Sequence, residues 1–223
     1  MGPNVEPGRQ VHRVFRQGHI RAGAGWRAGS AARQAARNQY PNDWVPDGSA
    51  LLFLDGEESS RAVRMDIWVQ PLDGTAARPY VATPAKESFA RVSPDGRWVA
   101  YQSDESGSLE VYVQAYPTPG LKTLVSAGGG SFPAWRADSR ELYYLKGRQL
   151  FAVSIAAGGQ GDAPAIRGHT PLLGGRYVGN YWRGYDASPD GKRFAILTAR
   201  NSTSRVVVVL HALNTGGEVA RTP

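Results

Sequence analysis

Four aspartates recur in the same local context and are the first residues in the chain whose type could do chemistry. Grouped carboxylates can serve as acid–base catalysts or as metal ligands. Three of these aspartates, however, stand in a Pro-Asp-Gly phrase and the fourth in Ala-Asp-Ser, and an apolar run follows each copy. Because Pro, Asp and Gly are the residues that tight turns require, the repetition favours a structural turn role over a shared ion site. The four residues are Asp47, Asp95, Asp138 and Asp190.

The other candidate metal ligands are scattered. Two acidic segments, residues 55–58 and 104–105, are predicted to be hairpin loops whose oxygen atoms could suit Ca²⁺, although a solvated loop is the simpler interpretation. The four histidines lie at positions 12, 19, 169 and 211, without the spacing of a zinc site. We therefore predict no cofactor and no metal ligand, with Ca²⁺ at the acidic loops kept as an alternative.

Two further motifs bear on catalysis. Residues 128–131 read Gly-Gly-Gly-Ser, but the Lys and the helix of a phosphate-binding loop do not follow, so we predict a turn between repeats. The chain also lacks a Gly-x-Ser-x-Gly phrase, the signature of an α/β-hydrolase nucleophile. No catalytic residue is predicted.

The segment of residues 174–186 is the best candidate for ligand binding, since it combines aromatic rings with arginines. Such side chains suit a carbohydrate, a peptide or an anionic ligand. The alternative is that these rings pack between neighbouring repeats, as we also expect of Trp44, Trp68 and Trp135. The predicted ligand-binding residues are Arg176, Tyr177, Asn180, Tyr181, Trp182 and Arg183.

The elements that must position these residues follow from the repeat. The four aspartates are 48, 43 and 52 residues apart, and the fourth and sixth residues after each are apolar. A period in the forties with β-branched and aromatic residues predicts an all-β fold, a β-propeller with four blade repeats of four antiparallel strands. The predicted blades cover about residues 41–82, 83–127, 128–172 and 173–223.

Several phrases resemble the TolB-type propeller repeat. They include Ser-Pro-Asp-Gly-Arg-Trp-Val-Ala-Tyr at residues 93–101, with Gly-Gly at 129–130 and Pro-Ala-Trp at 133–135. Residues 66–74, 105–107, 110–114 and 186–194 are more similar to the C-terminal propeller modules of bacterial eukaryotic-like Ser/Thr protein kinases. The resemblance covers roughly residues 40–213 and implies a recognition module with a bacterial kinase or envelope-associated parent. The catalytic motifs of the kinase domain are absent from this sequence.

The positive charge of the chain is concentrated at its beginning. The 223 residues include no Cys and carry a net charge of +7, of which residues 1–40 contribute +6 through seven arginines and one glutamate. We predict that this Gly/Ala/Arg-rich leader is disordered. Binding of nucleic acid or an anionic surface is the alternative. Neither a signal peptide nor a transmembrane run is readable, so the localisation is left open.

The sequence predicts a non-catalytic TolB-like propeller module that recognises a protein, peptide or glycan at the channel mouth. A propeller-based enzyme of hydrolase, lactonase or lyase type is the alternative. Four repeats are fewer than the six or more of TolB-type propellers, and an open stack would leave two apolar sheet faces exposed. Two copies could pair head to tail as an eight-bladed ring, one copy could close alone, or the chain could persist as an open arc. We favour association or an arc.

Overall fold

A computed structural model of the chain describes residues 38–58, 63–156, 163–174, 184–200 and 203–210. Every regular element within these ranges is a β-strand. The first sheet contains β1 (Asn38–Trp44), β2 (Ala50–Glu58), β3 (Val63–Pro71) and β4 (Arg78–Val81). The second contains β5 (Glu87–Val92), β6 (Trp98–Ser103), β7 (Glu110–Ala115) and β8 (Thr123–Leu124). The third contains β9 (Ser131–Trp135), β10 (Glu141–Lys146), β11 (Gln149–Ala156) and β12 (Ala165–Gly174), and the last contains β13 (Tyr185–Ala187), β14 (Arg193–Arg200) and β15 (Thr203–Leu210).

The strands of each sheet are antiparallel neighbours in chain order, which is the meander of a propeller blade. The predicted all-β fold with propeller blades is therefore confirmed, and the described part of the propeller is not closed into a ring. We refer to the four sheets as blades 1 to 4. The predicted leader lies almost entirely outside the described residues, although β1 already begins at Asn38.

The turn between the first two strands explains the repeated aspartates. In every blade a side-chain oxygen of the aspartate accepts a hydrogen bond from the backbone N–H two residues later, at 2.9 to 3.2 Å. In blade 4 the Ser188 hydroxyl donates a second hydrogen bond to Asp190, and this bond lowers the pKa of the aspartate. The predicted turn role is confirmed. The backbone donors are Ser49, Arg97, Arg140 and Lys192.

Alternation of side chains gives each blade two apolar faces, which form the core. We call the face that carries the fourth and sixth residues after the turn aspartate the head face, and the opposite one, with the fifth and seventh, the tail face. The head faces of blades 2, 3 and 4 each pack against the tail face of the preceding blade. The head-face residues at these three joints are at most 3% exposed: Val99, Tyr101, Leu142, Tyr144, Phe194 and Ile196.

Two expectations from the sequence are wrong. Residues 55–58 belong to β2, because the ladder between β2 and β3 continues as far as the pair Glu58 and Val63. Asp55 is buried there and accepts a hydrogen bond from Gln39 at 3.1 Å, so it is not a loop residue. Trp44 does not pack between described blades, since 53% of its surface is exposed. Trp135 does pack at a joint, where its indole N–H donates to the Arg91 carbonyl at 3.0 Å.

Candidate functional site

The connections at one end of the blades lie against each other and form the candidate site. The backbone N–H of Lys86 donates to Asp104 at 2.8 Å, which joins the connection from blade 1 to blade 2 with the β6–β7 hairpin. The ammonium of Lys146 donates to the Ala127 carbonyl at 2.6 Å, which joins the next connection to the β10–β11 hairpin. We call this end, residues 82–88, 102–110 and 125–132, the mouth, since the innermost strands begin there.

Glu110 anchors the glycine-rich connection of the mouth. Its carboxylate accepts a hydrogen bond from the backbone N–H of Gly129 at 2.7 Å and another from the Ser126 hydroxyl. Gly128 and Gly129 have φ values of 74° and 110°, a left-handed conformation that glycine adopts without steric cost. The N–H group that a phosphate loop would offer to a ligand is thus bound to Glu110, and the predicted turn between repeats is confirmed.

Glu87, the first residue of β5, is a fully buried carboxyl group at the mouth. One carboxylate oxygen accepts a hydrogen bond from the Thr83 hydroxyl, and the other has no hydrogen-bond partner in the described part of the chain. Burial raises the pKa of Glu87 to about 7; the Thr83 bond opposes this, while the charges of Asp66 and Glu105 add to it. A carboxyl with this pKa exchanges its proton near neutral pH, as a general acid or base must.

The amide of Gln102 connects blades 2 and 3 directly beneath the mouth. It donates to the Ser88 hydroxyl and accepts from the backbone N–H of Phe132, both at 3.0 Å. Phe89 and Phe132 occupy equivalent places six residues before the turn aspartate, and both have positive φ, 54° and 57°. Their rings meet edge to face with centroids 4.7 Å apart. Such backbone strain persists only where the surrounding contacts hold it in place.

The predicted ligand-binding residues Arg176, Tyr177, Asn180, Tyr181, Trp182 and Arg183 lie outside the described residues. The described chain ends its third blade at Gly174 in β12 and resumes at residue 184, just before β13. Tyr185 itself is buried and donates its hydroxyl to the Phe132 carbonyl at 2.7 Å. For this ring, the packing alternative is correct.

The remaining polar candidates have protein partners. Glu105 forms an ion pair with Lys122, and His169 shares a hydrogen bond of 3.2 Å with the Tyr144 hydroxyl. Among the described residues, no three His, Cys, Asp or Glu side chains are grouped as a metal site would group them. Within the same ranges, no helix has the length and apolar character needed to cross a membrane.

Glu87, Gln102 and the phenylalanine pair were not identified from the sequence. A signal for the phenylalanines existed, since both precede their turn aspartate by six residues. Glu87 left no such signal, because the equivalent place in blade 3 is Gly130, a different residue type.

Two curated proteins have sequences similar to part of this chain. Tricorn protease homolog 1 of Streptomyces coelicolor is 34% identical over 89 residues, which are 39% of this chain and 8% of that protein. An uncharacterized protein of Agrobacterium fabrum is 30% identical over 122 residues, which are 49% of this chain and 40% of that protein. The matched region thus spans two fifths or less of either relative. No protein-family profile matches the chain.

Solved structures share the blade architecture. TolB from Acinetobacter baumannii superposes with a TM-score of 0.57 at 17% identity, over 79% of this chain and 41% of that one. A puromycin-hydrolyzing peptidase from Mycobacterium tuberculosis gives a TM-score of 0.58 at 21% identity, over 77% and 29%. At these identities the likeness shows the fold alone. The chain therefore has the fold of TolB-like β-propeller blades.

Proposed function

We propose that this chain is a non-catalytic TolB-like propeller module that recognises a protein, peptide or glycan ligand at the mouth. The observation that supports this most is that hydrogen bonds accepted by Glu110 and Asp104 and donated by Lys146 hold the mouth connections against the blade ends. Loops fixed before binding lose little conformational entropy when a ligand arrives. Leu109, at the edge of this surface, is 41% exposed and offers an apolar contact.

The segment between β12 and β13 supplies the side chains for specificity in this proposal. Its assignment to the mouth is part of the proposal and is supported by chain order, since the segment joins the last strand of blade 3 to the first strand of blade 4, as residues 125–130 join blades 2 and 3. Trp182 and Arg183 would then provide the stacking surface and the fixed positive charge, and these residue types dominate binding energies at many interfaces.

The parent of the module is proposed to be a bacterial protein with further domains, in which the propeller selects the ligand. The resemblance of residues 66–74 and 186–194 to kinase-linked propeller modules supports a Ser/Thr kinase parent. The curated relatives, which are longer than the region they share with this chain, are compatible with such an arrangement.

The test is a binding screen of the full chain against an array of 15-residue peptides and an array of bacterial cell-wall glycans. Trp182→Ala and Arg183→Ala should each weaken the strongest interaction at least about tenfold. Leu72→Ala and Arg140→Ala are the matched controls, because both residues are exposed in turns away from the mouth and should leave binding unchanged. Binding that survives both mouth substitutions would contradict the proposal, and so would the absence of binding on both arrays.

An enzyme is the second candidate, and Glu87 is the observation that favours it. A buried carboxyl with a pKa of about 7 is suited to acid–base chemistry. A panel of aminoacyl-coumarins, lactones and nitrophenyl glycosides would test this. Turnover that Glu87→Gln reduces at least a hundredfold, in a variant that stays folded by circular dichroism, would replace the binding proposal with the enzyme.

A further inference from the structure

The two described mouth connections are fastened to the blades in different ways. Residues 125–130 are tied to β7 through the backbone, since the N–H of Val125 donates to the Val111 carbonyl at 2.8 Å. Within the described part of the chain, residues 82–86 make no backbone-to-backbone hydrogen bond of this kind. The connection from blade 1 to blade 2 therefore depends on side chains for its position.

Three hydrogen bonds involving side chains hold this connection. The guanidinium of Arg64 donates to the Thr83 carbonyl at 3.2 Å, and Asp104 accepts from the backbone N–H of Lys86 at 2.8 Å. The backbone N–H of Ala85 donates to the Thr83 hydroxyl at 3.1 Å. Arg64 and Asp104 are exposed, so water can replace them as partners at little cost in free energy. The connection can thus open without disrupting a strand.

Glu87 stands at the end of this connection and differs from Glu110, the buried carboxyl of the next one. Both oxygens of Glu110 accept hydrogen bonds, one from the N–H of Gly129 and the other from the Ser126 hydroxyl. Glu87 is fully buried, yet only its bond from Thr83 is made among the described residues, and its second oxygen has no partner there. In this position the charged form of Glu87 costs far more free energy than the neutral form.

The groups around Glu87 also disfavour its negative charge. Asp66 on β3 and Glu105 in the β6–β7 hairpin raise the pKa of Glu87, and together with burial they bring it to about 7, although the Thr83 bond acts in the opposite direction. Tyr101 on β6 stays neutral across this range, because burial raises the pKa of its hydroxyl. The charge on Glu87 is therefore relieved only by contact with water.

We propose that ionisation of Glu87 opens the connection of residues 82–88, so that the proton on this carboxyl controls whether this part of the mouth is closed or open. In the closed form the connection packs as in the structure and the carboxyl is neutral. In the open form the carboxylate reaches water. Control of ligand binding by this opening rests on the function proposed above.

The direction of the pH dependence follows from the pKa of Glu87 in the two forms. It is about 7 in the closed form and returns to its ordinary value of 4.5 once the carboxyl is hydrated. Between these values the closed form holds the proton and the open form releases it, so a rise in pH favours the open form. The opening equilibrium should increase about tenfold per pH unit across this range, about 300-fold in all, and stay constant above it.

Amide hydrogen exchange of the full chain, followed by mass spectrometry across this pH range, tests the proposal. The exchange rate of the wild type is divided by that of Glu87→Gln at the same pH, which cancels the intrinsic pH dependence of exchange. For residues 82–88 this ratio should rise about tenfold per pH unit up to about pH 7. For residues 125–130 it should stay constant. Glu141→Gln, which removes a half-buried carboxyl of blade 3, is the matched control and should retain the wild-type pH dependence.

Two further variants should move the pH window in opposite directions. Thr83→Val removes a bond that favours the charged form of Glu87, so the rise should end at a higher pH. Glu105→Gln removes a repelling charge, so the rise should end at a lower pH. A mere loss of loop contacts changes the exchange rate at every pH but does not move the window. A ratio for residues 82–88 that is independent of pH would overturn the proposal, and so would an equal rise for residues 125–130, since Glu87 would then be exposed only when the blades unfold.

The affinity of the strongest peptide or glycan from the arrays tests control of binding separately. Between pH 5 and pH 8 the wild type should lose more affinity than Glu87→Gln, because the binding-competent closed form is depleted. The same pH dependence in both proteins would overturn this control. If no array member binds, the proposed function fails, whereas the exchange ratios still decide whether Glu87 opens the connection.

Discussion

The hydroxyl oxygen of Ser139 accepts a hydrogen bond of 3.0 Å from the backbone N–H of Asp95. This bond joins the turn of blade 3 to the turn of blade 2. Ser139 occupies the turn position that is glycine in the other three repeats, and its φ of 61° is left-handed. A left-handed conformation costs a residue with a Cβ about 1–2 kcal/mol, so the bond between blades offsets local backbone strain.

Ser139→Ala should therefore destabilise the protein by about 0.5–1.5 kcal/mol, because the N–H of Asp95 loses its protein acceptor while the strain remains. Ser139→Gly should cost less, since it also loses the bond but relieves the strain. The midpoints of urea unfolding, compared with the wild-type protein, measure both. Equal losses for the two variants would show that the strain at this residue is not significant.

Gly191 and Gly48 occupy the same turn position in blades 4 and 1 but differ in their surroundings. A Cβ at Gly191 would lie 2.4 Å from the hydroxyl oxygen of Tyr143 and 3.0 Å from a side-chain carbon of Arg136. A Cβ at Gly48 would have no atom within 4 Å. The φ values, 70° and 74°, are nearly identical, so the pair separates backbone strain from crowding at the joint.

Gly48→Ala should cost about 1–2 kcal/mol of stability, because the new Cβ meets only the cost of the left-handed backbone conformation. Gly191→Ala should cost about 1–3 kcal/mol more, because Tyr143 is fully buried, donates its hydroxyl to Glu141, and cannot move aside freely. Thermal and urea unfolding of the two variants supply the comparison. If both variants lose the same stability, the joint between blades 3 and 4 is looser than the structure indicates.

Much of the fold could be predicted from the sequence because the turn chemistry is local. The hydrogen bonds that close the turn of blade 2 lie within the interval from Ser93 to Trp98, and the apolar residues that follow define which face is buried. What could not be predicted are the contacts between blades. The Gln102 side chain accepts a hydrogen bond from the N–H of Phe132, 30 residues away, and no local sequence pattern predicts such a bond. The same is true of Glu87, whose burial depends on the neighbouring blade and its connection.

Gln102→Leu tests the value of that bond between blades. Leu has a similar size, but it leaves the buried N–H of Phe132 and the hydroxyl of Ser88 without the amide partner. We expect a loss of about 2–4 kcal/mol, the sum of two unmade hydrogen bonds in a buried setting. Gln114→Leu is a matched control, because among the described residues the Gln114 amide bonds within its own blade, to Tyr101 and to the Gly120 carbonyl. A smaller loss for Gln102→Leu than for the control would mean that the amide of Gln102 is not important for the joint.

Glu87 should make stability depend on pH in a specific window. Its pKa of about 7 is raised above the value of an unfolded glutamate, so the folded state holds the proton over a range in which the unfolded state releases it. Stability contributed by this group should therefore fall as the pH rises from about 4.5 to about 7, by at most about 1.4 kcal/mol per pH unit. Glu87→Gln should remove this slope and leave the variant more stable than the wild type at pH 8. Asp190 and Asp47, whose pKa values are lowered, act in the opposite direction below this window and serve as an internal reference. Urea unfolding between pH 4 and pH 8 measures the slope of the free energy of unfolding against pH. If the wild-type curve runs parallel to that of Glu87→Gln throughout, then burial and the charges of Asp66 and Glu105 do not hold the proton on Glu87.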